Sequence, residues 1–306
     1  MKILVTGGAG FIGSHLTDAL LASGHEVTVL DNLSSGNKDF ISPEAEWIQD
    51  DIRSPGIEKI FQSHHFDIVF HEAAQTLVPA SIANPPADAD ENIMGLLNIL
   101  ECCRRTHVGK VVFSSSAAVY GDNNALPLHE KESPDPTSFY GLTKWMTERY
   151  LALYSRLFHL SYTVLRYSNV YGPRQGSHGE GGVIYIFAKA LASQKPMVIF
   201  GDGTQTRDFI SVHDVVSANL AALNHGDGAT VNICTQKETS LSDLTSMMSR
   251  ITGSSQPVVK SAPREGDIYR SCLSCEKAAS LLHWHPSVSL QDGLQETCDY
   301  FMQKHQ

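Results

Sequence analysis

Tyr140-Gly141-Leu142-Thr143-Lys144 sets a phenol and an ammonium one helical turn apart, on one face of a helix. A free tyrosine titrates near about 10 and is a poor base at neutral pH. A cation beside it favours the phenolate, so the pair can take a proton from a hydroxyl. Ser116 follows the apolar strand Val111-Val112-Phe113-Ser114 and can bridge a phenol and a substrate hydroxyl. The Tyr-x-x-x-Lys spacing is also that of an ordinary surface helix, so the elements around it decide.

The first of those elements is Met1 to Leu16. Lys2-Ile3-Leu4-Val5-Thr6 reads as a buried parallel strand. Gly7, Gly8, Gly10 and Gly13 follow, and then an apolar pattern of helical period through Phe11, Ile12, Leu16, Leu20 and Leu21. Strand, glycine turn and helix present backbone N–H groups and a helix N-terminus to a phosphate. Gly7 allows the tight turn, Gly10 lets the backbone approach a pyrophosphate, and Gly13 lets the helix pack on the sheet. Glu26 to Leu30 is a second strand and ends at Asp31, eighteen residues past Gly13. A carboxylate there accepts from a ribose 2′-OH and repels a 2′-phosphate, which favours NAD over NADP. An oxidised nicotinamide would add a second cation favouring the Tyr140 phenolate.

The pattern continues through Trp47 to Gln49, a weaker strand that puts Asp51 and Ile52 at the adenine edge of a doubly wound sheet. Phe66 to Phe70 is the fourth strand. The small Ala73 and Ala74 after it let a strand end approach a flat cofactor, while Glu72 beside them has no evident role. A long helix is expected from Asn84-Pro85 to about Thr106, with Asn92 inside it. Thr137 or Ser138 caps the helix of Tyr140 and Lys144, which runs to about Arg156. Tyr162 to Leu165 is a sixth strand. Alternating strands and helices predict an α/β fold, a doubly wound parallel (Rossmann) sheet.

After Val170 the texture changes to a glycine-rich stretch, a helix from about Val183, a Gly201-Asp202-Gly203 turn and the short strand Arg207 to Ile210. A helix at Val212 to Leu223 and a strand at Val231 to Ile233 return to the large sheet, and helices near Ser240 to Ile251 and from Leu290 close the chain. The expected organisation is a cofactor domain of residues 1–169 plus 211–236. A smaller α/β substrate domain, 170–210 plus 237–306, closes over the strand ends.

Composition narrows the function. The 306 residues carry a net charge of −10, which argues against nucleic acid or an anionic membrane as partner. Anionic ligands must therefore be held by local N–H groups and a few arginines. No apolar run is long enough to span a bilayer, and no secretion signal is read at the start. The six cysteines form no framework, and Cys272-x-x-Cys275 is one pair without a second. That argues against zinc or any other metal and for a reducing cytoplasm.

These motifs resemble the extended short-chain dehydrogenase/reductases, in the nucleotide-sugar epimerase branch. The resemblance covers nearly the whole chain. It rests on Gly7 to Gly13, Asp31-Asn32-Leu33-Ser34-Ser35-Gly36, Phe113 to Gly121, Tyr140 to Lys144, Asn169 to Gln175, Gly201 to Phe209, and Arg264-Glu265-Gly266-Asp267. It implies NAD-dependent 4-epimerisation of a UDP-hexose through a transient 4-keto sugar. Tyr140 would be the base, Lys144 would hold the nicotinamide ribose and tune Tyr140, and Ser116 would help move the proton. The glycines, Phe11, Ile12, Asp31, Asn32, Ser35, Gly36, Asp51, Ile52, Ala73, Ala74, Gln75, Asn92, Ser114, Tyr167 and Val170 would complete the NAD site. Asn169, Arg207 and Arg264 would meet the substrate diphosphate, Asp267 the uridine ribose, and Val183 and Ile184 the uracil. Gly182, Thr76 and Ser271 would complete the substrate site. The family's pairing of the helices near 85–106 and 138–156 implies a homodimer.

Within the family, 4,6-dehydratases and UDP-glucuronate decarboxylases resemble one another in carrying acids just before Val-Tyr-Gly. Here those places hold Ala117 and Ala118, which cannot do acid–base work. UDP-glucose/UDP-galactose is the expected pair, and the small Ser271 leaves room for the N-acetyl group of UDP-GlcNAc/UDP-GalNAc. UDP-glucuronate 4-epimerisation, 4,6-dehydration and simple reduction of a nucleotide sugar are the alternatives. A non-catalytic NAD-binding sensor would not need Ser116, Tyr140, Lys144 and both arginines together.

Overall fold

The computed structural model describes residues 1–176, 181–263 and 268–303. Its strands are, in chain order, Lys2–Thr6 (β1), Glu26–Asp31 (β2), Glu46–Gln49 (β3), Ile68–His71 (β4), Lys110–Ser116 (β5) and Ser161–Tyr167 (β6). They continue with Asn169–Tyr171 (β7), Met197–Phe200 (β8), Thr206–Ser211 (β9), Ala229–Ile233 (β10), Glu238–Ser240 (β11) and Val258–Ser261 (β12).

Seven strands form one parallel sheet in the order β10-β6-β5-β4-β1-β2-β3. This is the doubly wound sheet expected from the pattern. Its strands bury both faces, so Ile3 and Val5 pack with Leu16, Leu20, Val212 and Val215 on one side. Leu4 packs with Leu96, Ile99 and Leu151 on the other. The strand order reverses between β1 and β4, and the crevice at that reversal is where ligands bind in open α/β sheets. A Cβ at Gly7 would lie 2.7 Å from the Ala73 amide, so only a glycine lets these two strand ends close up.

Val231 to Ile233 does return to the large sheet: β10 runs parallel to β6, with Val231 opposite Leu165. The chain leaves the sheet at Ser168 and enters β7, which joins β9 and β11 in a small three-stranded sheet. A third apolar cluster, including Ile184, Phe187, Leu191, Met197, Phe209, Leu244, Met248 and Leu294, packs around that sheet. Every buried member of it comes from 170–210 or 237–306. The helix Glu276–Leu281 and its sequel depart from this grouping, since Ala278, Leu282 and Trp284 pack in the large sheet's cluster. The parallel pair β8 and β12 had little sequence signal, because β12 is exposed along its length.

The long helix expected from Asn84 is interrupted. Asn84 caps Pro85–Ala89, Asp90–Met94 makes one π-helical turn, and Gly95–Thr106 resumes the α-helix. The widened turn carries Asn92, and π-turns of this kind recur at functional sites. A Cβ at Gly95 would meet Ile52 Cδ1 at 2.4 Å, so the resumed helix sits close to the loop after β3. The helix of Tyr140 and Lys144 spans Phe139–Phe158. Ser138, not Thr137, is its cap, with its Oγ accepting from the Gly141 N–H at 3.1 Å.

Candidate active site at the strand ends

The carboxyl ends of the large sheet open into a cavity of about 540 Å³. On one side its wall is the glycine turn. Gly10 precedes the helix Phe11–Ala22 with no side chain capping it, so first-turn N–H groups face the cavity. A Cβ at Gly13 would fall 2.2 Å from the Gly7 carbonyl oxygen, so the helix lies on the turn with no space between. Asp31 ends β2 and is buried, with one oxygen accepting from the Ala9 N–H at 2.9 Å and the other from the Leu33 N–H at 2.8 Å. Burial pushes its carboxyl up, against those two bonds. Gly36 stands behind Asp31 outside the cavity wall, and a Cβ there would come within 3.0 Å of the carboxylate.

Asn32, Ser35, Asp51 and Ile52 continue the wall. Asn32 donates to Asp51 at 2.8 Å, and Arg53 pairs with the same carboxylate at 2.7 Å. These contacts, Arg53 first, hold the Asp51 carboxyl well below the usual range. Ala73, Ala74 and Gln75 form the floor. Asn92 does not face the cavity. It is buried behind Gln75, accepting from its N–H at 2.9 Å and donating to its carbonyl at 3.0 Å. Asp88 accepts from Gln75, Asn92 and Thr143, tying the floor to the helix of Tyr140. This cradle, a narrow glycine turn followed by a buried carboxylate and small-residue floor, fits an NAD molecule.

Tyr140 and Lys144 both line the far end. Lys144 is buried; its Nζ donates to the Ser114 carbonyl at 2.8 Å and lies 5.9 Å from the Tyr140 ring centre. Burial pushes the ammonium down to about 8, against the pull of Glu72, Asp88 and Glu148. Ser114 and Ser115 line the cavity. Ser116, one residue further, is outside that wall; its Oγ accepts from the Ala118 N–H at 3.2 Å and starts the turn Ala117–Tyr120. Below it Ser115 donates to Glu148 at 2.5 Å, and Glu148 pairs with Arg166 at 2.6 Å. Tyr167 is a wall residue whose hydroxyl is within 3.0 Å of Ser114 Oγ.

Thr76, Asn169, Val170, Gly182, Val183 and Ile184 form the opposite wall. Gln175 and Phe209 stand with them; both lay in motifs noted above without an assigned role. Glu91 also lines the cavity, from the π-turn that periodicity alone did not reveal. Arg207 is on β9 outside the wall, with its Nη1 donating to the Thr206 carbonyl at 2.8 Å. Ser271 is half-buried on the segment leading to Cys272, and it too is outside the wall. Arg264 and Asp267 lie outside the described residues. Among the described residues, no His, Cys, Asp or Glu cluster could hold a metal, and no helix is long and apolar enough to cross a membrane.

Residues 3–234 match the model of a family described as the NAD dependent epimerase/dehydratase family. The chain is 45% identical over 299 residues to a Methanocaldococcus jannaschii protein named putative UDP-glucose 4-epimerase, covering 97% of each. It is similar in structure to the Thermotoga maritima UDP-glucose 4-epimerase solved with UDP-glucose. That match has a TM-score of 0.98 at 44% identity over 100% of both chains. The Thermus thermophilus UDP-glucose 4-epimerase in complex with NAD gives a TM-score of 0.93 at 37% identity, over 98% of this chain and 99% of that one.

Proposed function

We infer the reaction of this chain from its family, for it belongs to the NAD dependent epimerase/dehydratase family. It is an NAD-dependent UDP-sugar 4-epimerase, inverting C4 of a UDP-hexose, with UDP-glucose and UDP-galactose as the pair. The observation that carries this reading is the convergence of Tyr140 and Lys144 on a cavity that also holds the glycine turn and Asp31.

Bound NAD⁺ supplies a hydride acceptor for C4 of the sugar and, once reduced, the donor that returns it. Tyr140 takes the proton of the 4-hydroxyl and gives it back at the end. Lys144, anchored to the Ser114 carbonyl, favours the Tyr140 phenolate. Ser116 passes the proton between sugar and phenol; its Oγ accepts from the Ala118 N–H, which leaves its own O–H to donate. Asn169, Arg207 and Arg264 hold the diphosphate and Asp267 the uridine ribose, so the 4-keto sugar turns while its nucleotide stays fixed. Two guanidinium groups suit a diphosphate in a protein of net charge −10. No net oxidation occurs, so one NAD serves repeated turnovers and stays bound.

Ala117 and Ala118 occupy the turn where dehydratase or decarboxylase chemistry needs acids. A uronic acid would want a cation near C6, and Arg174 is committed to Asp18 at 2.8 Å. The small Ser271 supports acceptance of UDP-GlcNAc and UDP-GalNAc as well.

The two-domain division stated above is supported by the third apolar cluster, with Ala278, Leu282 and Trp284 reaching back to the first domain. A homodimer is supported by exposed apolar side chains on neighbouring segments: Ile82, Met94, Leu142, Met146, Leu153 and Leu157. A reducing, cytoplasmic setting is supported by six free cysteines.

The test is one incubation of purified protein, without added NAD, with UDP-glucose, UDP-GlcNAc and UDP-glucuronate, followed by NMR. The expected result is C4 epimers of the first two. Loss of water, loss of CO₂ or no conversion would each overturn the reading.

A further inference from the structure

A buried polar atom with no partner is costly, and most such atoms in folded proteins are satisfied. Among the described residues, two buried side-chain atoms of the active-site cavity find no hydrogen-bond partner: Ser168 Oγ and Gln175 Oε1. Gln175 is half engaged, since its Nε2 donates to the Val170 carbonyl at 3.0 Å. The Ser168 hydroxyl is engaged by nothing, although the residue is only 9% exposed. An alanine at this place would line the same wall without that cost. The hydroxyl therefore suits a ligand that brings its own polar group into the cavity.

The position of Ser168 says which ligand. In the large sheet the glycine turn follows β1, the Ala73–Gln75 floor follows β4, and Ser114 and Ser116 end β5. Lys144 is anchored at Ser114, so the reacting end of the dinucleotide reaches β5. The next strand is β6, with Tyr167 opposite Ser116, about 4.8 Å further along the sheet. Ser168 follows Tyr167 there, and its N–H still bonds to the Ile233 carbonyl of β10 at 3.0 Å. Strand alternation then fixes its face. Arg166 and its neighbour Ser115 both reach Glu148, on the helix that carries Tyr140 and Lys144. Tyr167 turns to the other face, where its hydroxyl accepts from Asn219 at 2.8 Å. Ser168 turns back to the face of Tyr140. It thus stands past the end of the cofactor, on the side of the base, where the sugar has to lie.

We propose that the Ser168 hydroxyl binds the hexose, exchanging a hydrogen bond with one of its hydroxyl groups. This deepens the epimerase reading and rests on it for the identity of the ligand. A serine hydroxyl has one donor and two acceptor sites, as a sugar hydroxyl has. It can therefore meet the ring as donor or acceptor, and either face of a turning 4-keto sugar finds a partner there. A carboxylate or an ammonium in its place would do only one of the two.

The test is calorimetric binding to the NAD-loaded Tyr140→Phe protein, in which the sugar stays unreacted, with and without Ser168→Ala. The ligands are UDP, UDP-glucose and the four UDP-glucose analogues lacking one sugar hydroxyl each. Ser168→Ala should weaken UDP-glucose by about three- to tenfold, the range for one neutral hydrogen bond, and leave UDP unchanged. For one of the four analogues the two proteins should bind alike, which identifies the hydroxyl. Without nucleotide, Ser168→Ala should melt no lower than its parent, because it deletes an unpartnered buried group. Equal weakening of UDP, equal weakening of UDP-glucose and all four analogues, or no weakening of any overturns the proposal. So does a loss of NAD from Ser168→Ala, which would make the hydroxyl a cofactor contact, or a lower melting temperature, which would give it a partner inside the protein. Binding is read apart from turnover: wild-type protein that binds UDP-glucose and does not invert C4 overturns the reaction and leaves the contact standing.

Discussion

A Cβ placed on Gly13 would stand 2.2 Å from the carbonyl oxygen of Gly7. The atom it meets is backbone at the end of β1, which cannot swing aside as a flexible side chain would. Gly13→Ala must therefore push the helix Phe11–Ala22 off the turn. Overpacking of this kind costs about 1–3 kcal/mol. The purified variant should contain little NAD, measured per chain after denaturation, and should melt earlier. A variant that keeps a full complement of NAD would show that the helix need not sit on the turn.

Tyr140→Phe leaves the ring that lines the cavity and removes the group that takes the proton. Turnover should fall by about 10²–10⁴, the range for losing a general base. NAD content should match wild type, because the phenol hydroxyl is not what retains the dinucleotide. Activity near wild type would refute Tyr140 as the base.

Ser271 is the small residue expected to leave room for an N-acetyl group. Ser271→Tyr should lose UDP-GlcNAc epimerisation first and keep most activity on UDP-glucose. Comparing kcat/KM for the two sugars reads this directly. Equal loss on both would mean the position does not gate the acetamido group.

His71 makes stability sensitive to acid. It is buried, its Nδ1 lies 3.0 Å from Thr6 Oγ1, and its ring stacks on Phe113. Burial first, and Lys144 second, push its imidazole from 6.5 down to about 3. The unfolded chain therefore takes up a proton near pH 6.5 that the folded chain refuses. The contribution is complete above that pH and is lost at about 1.4 kcal/mol per pH unit as pH falls toward the folded value. Urea midpoints should decline from neutral pH downward, and His71→Gln should decline less steeply. Equal slopes would exclude His71 as a source.

Leu142, Met146, Leu153 and Leu157 are exposed on the helix Phe139–Phe158, with Leu157 57% exposed. Their spacing places them along one stripe of that helix. Leu157→Asp should turn a dimer into a monomer, read by light scattering after size-exclusion chromatography. A wild-type monomer at micromolar concentration would remove the premise.

Much of the site was legible because it is local. Gly7, Gly10 and Gly13 belong to one turn, and Asp31 ends the next strand. Tyr140 and Lys144 share one helical face. Each of these depends on neighbours a few residues away, where backbone sterics and helical period set geometry. The two-faced burial of the strands was readable for the same reason, since period and apolar content mark a strand covered on both sides.

The order of residues was thus enough for the dinucleotide turn, the acid and base candidates and the parallel sheet that carries them. How distant segments meet had to come from packing. Ala229–Ile233 is one instance: it became a sheet strand by pairing with β6, far earlier in the chain. Asn92 was expected against the cofactor and instead braces Gln75, because a π-turn rotates it behind the floor. Ser116 accepts from the Ala118 N–H and is outside the cavity wall, which Ser114 and Ser115 line instead. Glu72 had no meaning beside two alanines in the chain. Packing of β4 against its neighbours sets its Oε1 3.5 Å from the Tyr167 hydroxyl, in the wall of the cavity that Lys144 also lines. Such neighbourhoods join residues far apart in the chain, and so they belong to the assembled fold.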